Sequence, residues 1–395
     1  MTALALDDAD PLALFRERFV QHADVAAYLD GNSLGRPLTV TAPRVAQFIE
    51  QQWGVRLIRG WDEGWLGLAQ EIGDELGRVA LGAAAGQTTI GDSTTVLHYK
   101  LIRAGVAARP GRTEIVIERD NFPTDRYVVE GIASECDLVV RWIETGDVSP
   151  DRVPVSDKTA LVVLSHVAYR SGYLADVEAI TASAHEAGAL VLWDLCHSAG
   201  VVPTELDAWG VDLAVGCTYK YLNGGPGAPA FAYVRNDLIE QLHQPIQGWL
   251  GSERPFDMGQ GFAPARGIRR FTSGTPPIIG MLAMRDMIAL IDEASLEAVR
   301  EKSVALTSFA IDLADELLPD AALATPRDPA RRGSHVTLDD PRFEAIMPAL
   351  WERGVIPDFR RPSGIRLGLS PLSTSFAEVE LGVRAIAETM HKGRF

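Results

Sequence analysis

The sequence predicts an α/β protein in which a mainly parallel sheet forms a large domain and a smaller α+β domain follows it. Three observations carry this. From about residue 90 to 235, short apolar runs alternate with helical patterns, as they do where helices cover a parallel sheet. After Pro276–Pro277 the pattern changes to long amphipathic helices with short apolar runs between them. A length of 395 residues is enough for one large domain and a smaller companion.

Taken in order, the expected strands of the large domain are EIVIE (114–118), LVVLSHV (161–167), LVLW (190–193), LAVGCTY (213–219) and AFAYV (230–234). Between the second and third, Val177, Ile180, Ala184 and Ala187 recur at helical spacing and Gly188 follows as a stop, which makes a βαβ unit. In such sheets the ligand site lies beyond the carboxyl ends of the strands. That rule singles out His166, Asp194, His197 and Lys220. Further on, helices are expected at 278–293, 295–318, near 342–353 and at 376–391, with strands at VTLDD (336–340) and GIRLGLS (364–370). The expected division is a large domain at 46–277 and a small one at 278–395, with residues 1–45 packing on the latter.

Charge narrows the partners. Lys and Arg number 37 against 53 Asp and Glu, a net charge of -16, which disfavours nucleic acid and anionic membranes. No apolar run reaches the roughly 18 to 20 residues that span a bilayer, and the start, MTALALDDADPLALF, is acidic where a signal peptide needs positive charge. A cytoplasmic protein is expected. Cys136, Cys196 and Cys217 show no CxxC spacing, so neither a disulfide framework nor a metal site is expected.

The stretch GCTYKYLNGGPG (216–227) puts one lysine, Lys220, at a strand end beside two tyrosines and a glycine-rich loop. A lysine dehydrated there has its amine pushed below the ordinary value of about 10.4 and can act as nucleophile and Schiff-base former. Asp194, one crossover upstream, should emerge on the same sheet edge, with His197 close by. Read alone, Asp194 serves equally as a helix cap and His197 as a satisfied core histidine. Read with Lys220, they match what pyridoxal phosphate requires: a lysine for its aldehyde and an acid that keeps its ring nitrogen protonated. GDSTT (91–95) opens a helical run, and its Ser93 and Thr94 offer a phosphate site at the helix start, or a simple N-cap. No GxxxxGK[ST] is present.

DGNSLGRPL (30–38), GDSTT (91–95), NFPTDRY (121–127), WDLCHSAG (193–200), TYKYLNGGPG (218–227), GWLG (248–251) and RRFTSGTPP (269–277) occur in this order, and together the chain resembles kynureninase. The resemblance implies the pyridoxal-phosphate-dependent transferase fold (fold type I). It also implies hydrolysis of L-kynurenine to anthranilate and L-alanine, and a homodimer with active sites at the subunit interface. By this resemblance Lys220 bonds the cofactor aldehyde and removes the substrate α-proton, while Asp194 pairs with the ring nitrogen, supported by Asp125. Phe122 stacks on the ring and His197 lies near its phenolic oxygen. Ser93, Thr94, Tyr219 and Trp249 hold the phosphate, joined by Thr275 of the neighbouring subunit. Arg366 clamps the substrate carboxylate, with Asn32 and Trp61 also at the substrate.

Tyr219 is the candidate acid for the substrate β-carbon. The family usually carries histidine after GW-x-G, where Ser252 stands here. Trp61 and Thr275 resemble the bacterial form and favour L-kynurenine over its 3-hydroxy derivative. A β-lyase or desulfurase and an aminotransferase of the same fold remain alternatives at this point. Desulfurases use a small-domain cysteine, and no cysteine follows Cys217.

Overall fold

The computed structural model describes residues 2–144 and 148–392. Its larger sheet has seven strands in the spatial order Thr88–Gly91, Ala230–Val234, Leu213–Gly216, Leu190–Asp194, Thr159–Ser165, Glu114–Glu118 and Val139–Ile143. Neighbours from Leu213–Gly216 to Val139–Ile143 pair in parallel, whereas Ala230–Val234 runs antiparallel to both of its neighbours. Each apolar run feeds two cores. Val116, Val162, Leu164, Val191 and Trp193 face one side, and Ile115, Ile117, Leu161, Val163, Leu190 and Leu192 face the other. Alternation within a continuous apolar run is what a strand buried on both faces requires.

The smaller sheet has five strands in the order Ala27–Leu29, Val355–Arg360, Gly364–Gly368, His335–Asp339 and Ala322–Leu323. The amino-terminal strand pairs in parallel with Val355–Arg360, so the start of the chain belongs to this sheet. Helices Leu296–Leu317, Phe343–Glu352 and Phe376–Lys392 contribute Leu306, Ile346 and Val383 to a third core. Helix Ile278–Ala294 packs on the larger sheet. Its Met281, Met284, Ile288 and Ile291 are buried in the core of the larger sheet, because apolar residues repeat over more than one face of this helix.

Two other differences bear on the site. The run expected to be extended through 219 leaves the sheet at Gly216, since the chain must turn there to carry Lys220 beyond the strand edge. Strands Thr88–Gly91 and Val139–Ile143 fall outside the apolar runs singled out in the sequence.

Candidate active site

Seven of the residues singled out in the sequence line one cavity at the carboxyl edge of the larger sheet: Thr94, Phe122, Asp125, Asp194, His197, Tyr219 and Lys220. Each arrives on a different local device. Asp194 is the last residue of strand Leu190–Asp194, and its Oδ1 accepts from the Cys196 backbone N–H at 2.7 Å, which fixes the carboxylate at the strand end. Phe122 is the N-cap of helix Pro123–Cys136, so Asp125 falls in the first turn, where a carboxylate is stabilised by the helix dipole. Ser93 caps helix Thr94–Ala107, accepting from the Val96 N–H at 3.4 Å.

Lys220 is half-buried, with Nζ 5.9 Å from the ring centroids of both Phe122 and Tyr219. Its amine departs from the sequence expectation. Burial pushes it down, but the neighbouring Cys217, Cys196 and Asp194 together more than offset burial and hold the ammonium above its ordinary range. The buried His197 is held the other way, well below an ordinary histidine, first by burial and then by Lys220 and Arg366. A neutral imidazole that accepts from the ammonium through Nε2, 3.1 Å away, carries its hydrogen on Nδ1. That Nδ1 has no partner among the described residues.

Burial pushes the Asp194 carboxyl up to about 6, helped by Asp125 and opposed by His98 and Lys220. Burial likewise raises the Tyr219 phenol above its ordinary range, so it keeps its proton at neutral pH. Oδ2 of Asp125 also lacks a partner among the described residues. The cavity therefore offers a primary amine, a dry acid, an unmatched ring N–H, two aromatic faces and the start of a helix. This donor set fits pyridoxal 5'-phosphate group by group: aldehyde, ring nitrogen, phenolic oxygen, ring face and phosphate.

Arg366 and Asn32 form an adjoining cluster. Arg366 is 1% exposed and donates to the Tyr169 carbonyl at 2.6 Å and to Ser33 Oγ at 2.8 Å, and it pairs with Asp358 at 2.9 Å. Asn32, fully buried, accepts from Arg366 Nε at 2.9 Å and donates to Asp30 at 3.2 Å. Tyr169 joins this cluster to the cavity, because its ring packs edge-on against Phe122 with centroids 5.4 Å apart. The amino-terminal turn is equally close to the lysine loop. The Gly35 N–H donates to the Tyr219 carbonyl at 2.8 Å, and a Cβ at Gly35 would fall 2.5 Å from the Lys220 carbonyl oxygen.

Besides Arg366 and Asn32, four expected residues lie outside the cavity wall. Ser93 stands one residue ahead of it, at the helix cap. Trp249 is 40% exposed and packs edge-on against Phe256. Thr275 is exposed and lines a separate hollow with Asp92 and Ser273. Trp61 packs against Trp65 with centroids 5.6 Å apart.

Sequence reasoning also missed residues that the structure brings in: Thr95, Ser165 and Tyr169 in the wall, and His98 and Lys100 behind it. Lys100, fully buried, donates to Asp92 and to the Phe271 carbonyl, both at 2.6 Å, and so ties the GDSTT loop to residues 269–277. His98 had one available signal: it stands four residues after Thr94, hence on the same helix face.

Comparison with known proteins adds relatives. The kynureninase C-terminal domain family matches residues 299–386. The chain is similar to a kynureninase of Pseudomonas fluorescens, 40% identical over 401 residues that cover 98% of this chain and 95% of that protein. A kynureninase of Burkholderia pseudomallei strain 1106a is 41% identical over 397 residues, covering 98% and 94%. Among solved structures, a mutant of C-DES with glycine covalently linked to its PLP cofactor superposes with a TM-score of 0.80 at 17% identity, covering 94% of this chain and 98% of that one. The apo cysteine desulfurase of Thermococcus onnurineus NA1 superposes with a TM-score of 0.74 at 18% identity, covering 92% and 94%. At such identities the superpositions speak for the fold alone: an α/β architecture with a mainly parallel larger sheet and a smaller second sheet.

Proposed function

The chain belongs to the kynureninase family, and from that premise we propose how its residues serve the hydrolysis of L-kynurenine to anthranilate and L-alanine. The observation that carries the reading is the convergence of Lys220, Asp194 and His197 on one cavity. The cofactor is pyridoxal 5'-phosphate, which when bound supplies an aldehyde for amines and a protonated ring that draws electrons from the substrate carbons.

Lys220 is the amine that would hold the cofactor through its aldehyde, and the same amine would take the substrate α-proton. Asp194 holds the proton on the ring nitrogen, with Asp125 beside it. His197, whose Nδ1 has no partner among the described residues, would meet the phenolic oxygen, and Phe122 would cover the ring face. Ser93, Thr94 and the helix start receive the phosphate, with Tyr219 and Trp249. Arg366 grips the substrate carboxylate, and Asn32 sets the guanidinium plane through Nε. Water adds to the γ-carbonyl, and Tyr219, which keeps its proton at neutral pH, would hand it to the β-carbon as the bond to the γ-carbon breaks and the γ-carbon leaves as the carboxylate of anthranilate. A desulfurase would need a reactive cysteine from the smaller sheet's side of the molecule, and the three cysteines all precede residue 218.

We further propose a cytoplasmic homodimer that prefers L-kynurenine to its 3-hydroxy derivative. Among the described residues no helix is long and apolar enough to cross a membrane. The dimer is supported by an exposed apolar run: Trp53, Val55, Leu57 and Ile58 are 53% to 78% exposed. A second copy covering this run would bring the remote Thr275 and Trp61 to the neighbouring cavity.

Purified protein supplied with pyridoxal 5'-phosphate should release anthranilate and alanine in equal amounts from L-kynurenine, without any keto acid. A requirement for keto acid would instead mark an aminotransferase. Failure to cleave either kynurenine or its 3-hydroxy derivative would end the substrate assignment.

A further inference from the structure

Behind the cavity lies a buried cluster that the proposed chemistry does not yet use. His98 projects from helix Thr94–Ala107 with its Nε2 3.1 Å from Oδ1 of Asp125, the two side chains being 0% and 2% exposed. Asp194 completes the group: donor atoms of the three residues lie within 4.8 Å of one another. Asp125 and Asp194 line the cavity, whereas His98 does not. Its helix neighbours Leu97, Leu101 and Ile102 are buried apolar residues, so an imidazole here displaces a side chain that would pack at lower cost.

Two carboxylates this close in a dry site repel, and one of them would ordinarily keep its proton. Lys220 cannot be the lasting counter-ion, because its amine must become neutral to accept the substrate proton. We propose that His98 is a positioning residue: as an imidazolium paired with Asp125, it balances the negative charge gathered at this cluster, so that Asp194 meets the cofactor ring nitrogen as an anion and holds it protonated. The inference rests on the cofactor site proposed above.

The groups facing His98 are Asp125 from the neighbouring helix and Asp194 from the sheet, while Lys220 and Cys196 also act on Asp194. Burial works against charge on His98, but Asp125 and then Asp194 outweigh it and raise its pKa. His98 in turn lowers that of Asp194. Nδ1 of His98 has no acceptor among the described residues, so the carboxylates alone stabilise its charge.

The test compares unsubstituted, His98→Asn and His98→Gln apoproteins for equilibrium binding of pyridoxal 5'-phosphate and of its carbocyclic analogue, in which the ring nitrogen is replaced by C–H. The unsubstituted protein should prefer the natural cofactor, and both variants should lose about tenfold or more of that preference, since one unit of pKa on the ring nitrogen corresponds to a factor of ten. Nitrogen-15 NMR of the unsubstituted holoprotein at pH 8 should show both ring nitrogens of His98 protonated, a reading that does not depend on the variants folding. An unchanged preference, a neutral His98, or a tightly held zinc ion at this cluster in the apoprotein would overturn the inference. If the unsubstituted apoprotein bound no pyridoxal 5'-phosphate at all, the cofactor site and this inference would fall together; binding with an unchanged preference would remove this inference alone.

Discussion

Nζ of Lys220 stands 3.1 Å from Nε2 of His197, between the rings of Phe122 and Tyr219. The ammonium is held by an imidazole that cannot compete for its proton, since burial and Lys220 itself keep His197 neutral. Lys220→Ala should therefore abolish the visible absorption of bound cofactor and its fixation by borohydride. Turnover should fall by about 10²- to 10⁴-fold, the usual contribution of a positioned proton-transfer group. An unaltered visible band in the variant would show that another amine carries the cofactor.

Arg366 makes contacts that only a guanidinium can make together. It donates to Tyr169, Ser33 and Asn32 while pairing with Asp358. An ammonium at that position has neither the planar fork nor the reach to satisfy them together. Arg366→Lys should raise KM for L-kynurenine by about 10- to 100-fold, the worth of one charge-assisted hydrogen-bonded pair, with a smaller effect on kcat. Steady-state kinetics would check this, and an unchanged KM would place the substrate carboxylate elsewhere.

Burial first, and Asp120 second, push the Glu118 carboxyl up to about 7. Its folded-state pKa lies above the unfolded one, so its favourable contribution is complete below the unfolded value and is lost as pH rises through about 7. Glu118→Gln removes that loss. The variant should exceed the parent in stability at pH 8 by on the order of 2 kcal/mol, with the gap narrowing towards pH 5.5. Urea unfolding at the two pH values measures it, and a gap that widened at the acidic end would contradict the assignment.

Ile58 is 78% exposed in a run where Trp53, Val55 and Leu57 are exposed as well. An aspartate at Ile58 would bury a charge in any interface formed there. Ile58→Asp should shift the protein from dimer to monomer in analytical ultracentrifugation and weaken cofactor binding, because Thr275 of the neighbour would no longer reach the phosphate. A variant that stayed dimeric would move the interface to another face.

Much of this architecture was legible because its signals are local. Runs such as EIVIE and AFAYV fall on Glu114–Glu118 and Ala230–Val234 residue for residue, since strands buried on both faces leave uninterrupted apolar text. Val139–Ile143 was not legible in that way: it is an edge strand with exposed Val139 and Arg141, so its pattern mixes charge with apolar residues. Val355–Arg360 hides behind Pro357, Asp358 and Arg360. At the site, Asp194 and Lys220 could be read because strand ends mark them. His98 offered only its helical spacing from Thr94, because one imidazole inside an apolar helix looks like a packed core residue until Asp125 arrives from another helix. Trp61 packs on Trp65 and Thr275 lines a separate hollow, so neither stands in the cavity wall.

The fit of the amino-terminal turn against the lysine loop has a temporal meaning. A nascent chain emits Gly35 long before its docking surface at Tyr219 and Lys220 has been synthesised, so the turn must wait without its partner. The small sheet is caught in the same delay, since its amino-terminal strand pairs with Val355–Arg360. Contacts so distant along the chain form late and close expensive loops. The turn at Gly35 therefore settles only after the lysine loop that receives it has been made.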